Sequence, residues 1–172
     1  MLVLALGVVV AATLVVLLGV PGAGKSTWAA AHAAELGARV VSFDALRWAG
    51  ERRQDVGAFR ERGRRRVERE LAAGRSVVVD APNLERVDRV RWLGMARRHG
   101  AVTRLVVVTP GALSVAVDRQ LEREGRDEPA VPAGAMGRYW RLFVRAGGQV
   151  RREPWGSVEL VRTAHRVDAV AV

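Results

Sequence analysis

The sequence predicts an α/β domain in which a doubly wound parallel sheet carries helices on both faces. Three observations point there. An uncharged aliphatic run, Thr13 to Leu18, leads into the glycine-rich turn Gly19-Val20-Pro21-Gly22-Ala23-Gly24-Lys25-Ser26-Thr27, which opens onto a helix-like stretch. Four further short apolar runs alternate with helical stretches along the remaining chain. The 172 residues, 49% of them hydrophobic, suffice for one buried core.

Taken in order, Thr13 to Leu18 combines β-branched and aliphatic residues without a charge, as a central strand covered on both faces requires. The turn follows, and residues 25–36 are expected to form the first helix. Apolar runs at Arg39 to Ser42, Ser76 to Val79, Arg104 to Thr109 and Ser157 to Val161 supply four more strands. Between them, helices are predicted over residues 56–73, 84–99, 112–122 and 132–146. No internal repeat or long linker interrupts the alternation, so residues 13–172 read as a single domain. In such sheets ligands bind beyond the carboxyl ends of the strands, which directs attention to the residues just after each strand.

Residues 1–12 form an apolar N-terminal extension of unassigned role: a further strand, an apolar tail, or a stretch read from an upstream start. Leu2 to Val20 is uncharged and long enough to span a bilayer as a helix. Such a helix would consume the strand that delivers the chain into the glycine-rich turn, and no basic segment of the signal-peptide kind precedes it. A buried strand is therefore expected at 13–18, and membrane attachment is not.

The turn is a full match to the phosphate-binding loop G-x-x-x-x-G-K-[ST]. Glycines allow positive φ, so that successive N–H groups converge on phosphate oxygens. This assigns nucleotide contacts to Gly19, Pro21, Gly22, Ala23, Gly24, Lys25, Ser26 and Thr27. Lys25 is the only lysine in the chain; its ammonium is expected on the β- and γ-phosphates, and the Ser26 hydroxyl on Mg²⁺.

The net charge of +10 favours an anionic partner, although arginine-rich coding would raise it without one. Arg52 to Arg66, mixed with Glu51, Asp55 and Glu61, reads as a solvated helix face. The chain has no cysteine, which excludes disulfides, thiolate zinc sites and cysteine nucleophiles and is compatible with the cytoplasm as compartment. His32, His99 and His165 lack ligand spacing and read as surface or capping residues. The five tryptophans read as core, with Trp48 the candidate for base stacking.

After the second strand comes Ser42-Phe43-Asp44-Ala45-Leu46-Arg47, and after the third Asp80-Ala81-Pro82-Asn83. If Asp44 opens a helix, Arg47 lies one turn on, and the two side chains can face one substrate: a carboxylate to take a hydroxyl proton and a guanidinium to clamp a phosphate. An aspartate N-cap followed by a helical arginine would look the same. Asp80, at a strand end beside the phosphate loop, suits a water-mediated Mg²⁺ contact; a turn-forming role before Pro82 is the alternative.

With these residues the chain resembles the P-loop polynucleotide kinases, which phosphorylate 5′-hydroxyl ends of RNA or DNA and belong among the AAA-type and zeta-toxin-like kinases. Gly19 to Thr27 is similar to their phosphate loop, Asp44-x-x-Arg47 to their general base and substrate-phosphate arginine, and Val78 to Leu84 to the segment ending their third strand. Asn83, the only asparagine, falls where the family has one, which implies a substrate contact. The likeness runs on through Arg89 to Gly100 and into residues 119–136, similar to the family's lid. There Arg126, by its offset from Val131-Pro132, is the implied lid arginine that neutralises the transferring phosphoryl group, with Arg119 and Arg123 as alternatives.

The resemblance implies a P-loop NTPase fold with a small arginine-bearing lid and a kinase that uses ATP and Mg²⁺. Its catalytic residues would be Asp44, Lys25 and Arg126, its substrate contacts Arg47 and Asn83, and its metal contacts Ser26 and Asp80. Its partners would be a nucleoside triphosphate and a polynucleotide 5′ end; no stable protein partner is inferred. Small-molecule and sugar-nucleotide kinases share this skeleton, which keeps a small acceptor as the second reading. A nucleotide-dependent switch or ATPase without a dedicated acceptor is the third.

Overall fold

A computed structural model describes residues 11–48 and 56–163, the side chains of Trp48 and Val56 excepted. The elements run β1 (Thr13–Leu18), α1 (Lys25–His32), β2 (Ala38–Ser42), α2 (Phe43–Trp48), α3 (Val56–Ala72), β3 (Ser76–Asp80), α4 (Arg86–Arg98), β4 (Val102–Thr109), α5 (Leu113–Gly125), α6 (Ala133–Val150) and β5 (Ser157–Arg162). The five strands form one sheet in the order β2-β3-β1-β4-β5, every neighbouring pair parallel. The expected α/β architecture is therefore the observed one. Residues 1–10, most of the apolar extension, and His165 lie outside the described residues, as does the Trp48 side chain. Among the described residues no helix is long and apolar enough to cross a membrane.

β1 is central and dry, as its lack of charge demands. Leu14, Val16 and Leu18 face a layer that includes Val67 and Leu71 of α3 and Trp92, Met95 and Ala96 of α4. Val15 and Leu17 face the opposite layer, with Trp28 and Ala29 of α1 and Ala116 of α5. The period of two along the strand thus divides the core into two faces, each covered by helices. α6 contributes to both, with Met136 in one cluster and Ala146 and Val150 in the other.

Three helix ends differ from the sequence expectation by three residues or more, those of α1, α5 and α6, the last running on to Val150 instead of residue 146. α1 stops at His32, short of residue 36, because Gly37 takes a φ of 55° and Ala38 N donates to Ala33 O at 2.9 Å, closing the helix end into the next strand. α5 runs on to Gly125, which changes which arginines of the lid point inward.

Candidate functional site

The phosphate loop leaves β1 at the point where the sheet switches direction, with β3 on one side and β4 on the other. Gly22 and Gly24 hold φ values of 78° and 93°, a region that glycine enters without penalty. Space alone would require glycine at position 22: a Cβ there would lie 2.8 Å from the Ala116 carbonyl oxygen and 2.9 Å from Gln120 Nε2. The turn is closed by Ala23 N donating to Val20 O at 3.1 Å, and Gly19 N ties it to the end of β3 by donating to Pro82 O at 3.1 Å. Such a run of amides leading into a helix N-terminus makes a concavity suited to phosphate oxygens. Pro21, Gly22, Gly24, Lys25, Ser26 and Thr27 line an open cleft of about 660 Å³. Gly19 and Ala23 stand behind it.

Lys25 is buried, and its Nζ donates to Val20 O at 2.9 Å. Burial pushes its pKa below 10.5, against the fields of Asp80 and Asp44, which raise it; Arg123 adds to the lowering. Three of the sequence-expected groups thus gather around one ammonium. The sheet register explains how: Ser42 of β2 is level with Asp80 of β3, so Asp80 ends its strand beside the loop and Asp44, two residues past Ser42, opens α2 on the same edge. Asp44 and Arg47 both line the cleft.

Ser26 Oγ donates to Asp80 Oδ2 at 2.8 Å. A hydroxyl and a carboxylate in contact at the mouth of a phosphate loop are the protein contribution that Mg²⁺ requires when nucleotide oxygens and water complete its shell. Among the described residues no group of three or more His, Cys, Asp or Glu could hold a metal by itself, so these donors fit the ion only in company with phosphate.

The lid arginines separate by helical phase. On α5, Ala116, Gln120 and Arg123 fall on one face at spacings of four and three residues. Ala116 and Gln120 are buried against the loop, and Arg123 lines the cleft. Arg119 turns to the back of the loop, donating to Gly22 O at 2.9 Å and Thr163 Oγ1 at 3.0 Å. Arg126, expected at the phosphoryl group, lies past the helix end, largely exposed, 3.4 Å from Glu128 and outside the cleft lining. The turn there is tightened by Asp127, whose φ is 57°, and by Glu128 N donating to Arg123 O at 2.9 Å. An offset counted back from Val131-Pro132 does not register this tightening, and of the three lid arginines it is Arg123 that lines the cleft.

Asn83 adopts a φ of 49° and is buried. Its Nδ2 donates to Leu17 O at 2.7 Å and Ala81 O at 3.1 Å, while its Oδ1 accepts from Trp92 Nε1 at 2.9 Å. With its amide engaged on these partners, Asn83 pins the end of β3 to the end of β1 while also lining the cleft.

A buried ion pair that sequence reading missed supports this segment. Arg89 is fully buried, donating through Nε and Nη2 to the Glu153 carboxylate at 2.9 to 3.2 Å. Its Nη1 donates to Asn83 O at 3.0 Å and Leu84 O at 2.8 Å, and its Nη2 to Gln149 Oε1 at 2.8 Å. Burial works against ionisation of Glu153, but the hydrogen bonds from Arg89 and Trp155 outweigh it and hold the carboxyl below 4.5.

A family signature described as an AAA domain matches residues 14–145, a span that contains the phosphate loop, Asp44, Asp80 and all of α5. Among solved structures, a candidate kinase from Chloroflexus aurantiacus is 18% identical, with a TM-score of 0.69 over 92% of this chain and 93% of that one. The Pnkp1/Rnl/Hen1 RNA repair complex contains a chain 21% identical, with a TM-score of 0.67 over 80% of this chain and 46% of that one. The Mycobacterium tuberculosis APS kinase CysC, solved with AMPPNP and APS, is 20% identical, with a TM-score of 0.51 over 68% of this chain and 73% of that one. These likenesses are of fold, a P-loop kinase-like sheet with its helices. No curated protein matches the chain significantly.

Proposed function

We propose that this chain, which belongs to the AAA domain family, is a Mg²⁺-dependent kinase that moves the γ-phosphoryl group of ATP onto the 5′-hydroxyl of RNA or DNA. The observation that carries the reading is the shared cleft: the phosphate loop, Asp44, Arg47 and Arg123 all line it.

In this mechanism the loop amides and Lys25 hold the β- and γ-phosphates. Ser26, and Asp80 through water, would hold Mg²⁺, which would supply positive charge against the phosphate oxygens. Asp44 accepts the proton of the acceptor hydroxyl as that oxygen bonds to the γ-phosphorus. The bond from phosphorus to the bridging oxygen breaks, and ADP leaves. Arg47 clamps a phosphate of the acceptor, a task that suits a planar guanidinium. Arg123 balances the charge of the transferring group, and the pinned loop through Asn83 keeps β1 and β3 in step.

The choice of a polynucleotide rests on the arginine-rich cleft, which Arg47, Arg60, Arg64, Arg91 and Arg138 line, and on the RNA-repair neighbour. A small anionic acceptor is the second reading, favoured by the likeness to APS kinase. Incubation with γ-labelled ATP and Mg²⁺ separates them when 5′-hydroxyl oligonucleotides and small hydroxylated anions are offered in parallel. Label on the oligonucleotides is expected; label on a small anion alone would overturn the polynucleotide assignment and keep the kinase.

Lys25 supplies a further prediction. Its pKa in the free chain is lowered chiefly by burial, and phosphates favour the charged form. At a pH between the lowered pKa of the free chain and the higher one in the ATP complex, binding is therefore expected to take up a proton, and affinity to fall as pH rises through that window. Calorimetry in two buffers of different ionisation enthalpy measures the uptake; none at any alkaline pH would show that Lys25 does not meet the phosphates.

A further inference from the structure

We infer that the groove between α3 and α4 is a track for the polynucleotide chain on the far side of the reacting 5′ end, so that acceptors several nucleotides long are preferred over short ones. This rests on the polynucleotide reading given above. Beyond the cleft lies a second hollow of about 270 Å³, walled by Glu61, Arg64, Arg65 and Glu68 of α3 and by Arg91, Gly94, Met95 and Arg98 of α4. Arg64 and Arg91 line both spaces, so the hollow continues the cleft.

Both helices lead outward in the same sense. On α3, Arg60 belongs to the cleft, Arg64 to both spaces and Glu68 to the hollow alone. On α4, Asp88 belongs to the cleft, Arg91 to both and Arg98 to the hollow alone. Arg91 and Arg98 are two helical turns apart, roughly 10 Å along the axis. The floor is small and apolar, with Gly94 open above it and Met95 buried.

The arginines of the hollow are held only loosely. Arg64 and Arg65 share Glu61 at 3.3 and 2.9 Å, and Arg98 meets Glu68 at 2.9 Å, with the Arg65 and Arg98 side chains largely exposed. Exposed ion pairs of this kind are weak in water and screened by salt. A phosphodiester chain presents charges in a row, and each guanidinium can exchange a surface carboxylate for a phosphate oxygen. A small acceptor ends inside the cleft and would leave the hollow unused.

The test uses wild type and the double variant Arg65→Gln/Arg98→Gln with 5′-hydroxyl acceptors from a nucleoside 3′-monophosphate to an octanucleotide, at several salt concentrations. Wild type is expected to show KM falling with acceptor length. In the double variant that advantage collapses, and the slope of log KM against log salt for the octanucleotide becomes shallower by about 0.7 for each phosphate no longer neutralised. Thermal unfolding of the variant verifies that both exposed replacements leave the fold intact. Equal KM at all lengths in wild type, or a length advantage that survives in the variant, overturns the track while leaving the kinase assignment standing. If wild type binds ATP but labels no nucleotide of any length, the polynucleotide reading and the track fall together.

Discussion

Replacing Arg123 with glutamine is expected to lower kcat for phosphoryl transfer by about 10³-fold or more, the scale on which an arginine at the transferring phosphate acts. The expectation follows from three placements. Arg123 projects from the α5 face that carries buried Ala116 and Gln120, it lines the cleft, and its field reaches Lys25 at the foot of the phosphate loop. Arg126→Gln is the companion experiment: that side chain lies outside the cleft beside Glu128, so kcat should stay within about threefold, since surface substitutions away from the site have small effects. A large loss from Arg126 with none from Arg123 would give the role to Arg126 and overturn the assignment to Arg123.

The second large effect is on stability. Arg89→Met removes the cation of a fully buried pair and leaves the Glu153 carboxylate without its main partner, while Asn83 O and Leu84 O lose their donor. Breaking such a pair costs about 3–5 kcal/mol, or a fall in Tm of roughly 6–20 °C for a chain of this size. Calorimetric melting checks it; a shift under about 2 °C would show the network to be dispensable. The pair also fixes a pH response. Because the folded-state pKa of Glu153 lies below 4.5, its contribution is complete above 4.5 and is lost as pH falls through the lowered value. Glu153→Gln should therefore melt lower at neutral pH and lose that part of the acid sensitivity.

The readable parts of this chain are those in which local chemistry dictates the residue. The phosphate loop announces itself because its turn needs glycine at positions 22 and 24 and its ligand needs a cation, here the only lysine present. β1 is legible because a strand covered on both faces excludes charge, and Asp44 and Asp80 because a parallel sheet delivers strand ends to one edge. What stays hidden depends on contacts between distant residues. Arg89 and Glu153 are 64 positions apart, and in a chain this rich in arginine nothing local marks the one that, among the described residues, is buried. Asn83 stands out by being unique, but only the fold shows its amide engaged by Leu17, Ala81 and Trp92. Arg126 is the lid cation that the sequence suggests, because an offset along the chain ignores the left-handed turn at Asp127.

The placement of an acceptor base beside the nucleotide loop is tested most directly by γ-phosphate transfer from ATP to a 5′-hydroxyl oligonucleotide by wild type and Asp44→Asn, with ATP affinity measured alongside. General-base loss is expected to lower transfer by about 10²- to 10⁴-fold while ATP affinity stays within about threefold, because Asp44 lies on α2, outside the phosphate loop. Transfer at the wild-type rate by the variant, or phosphate release by wild type that no acceptor alters, would contradict the account.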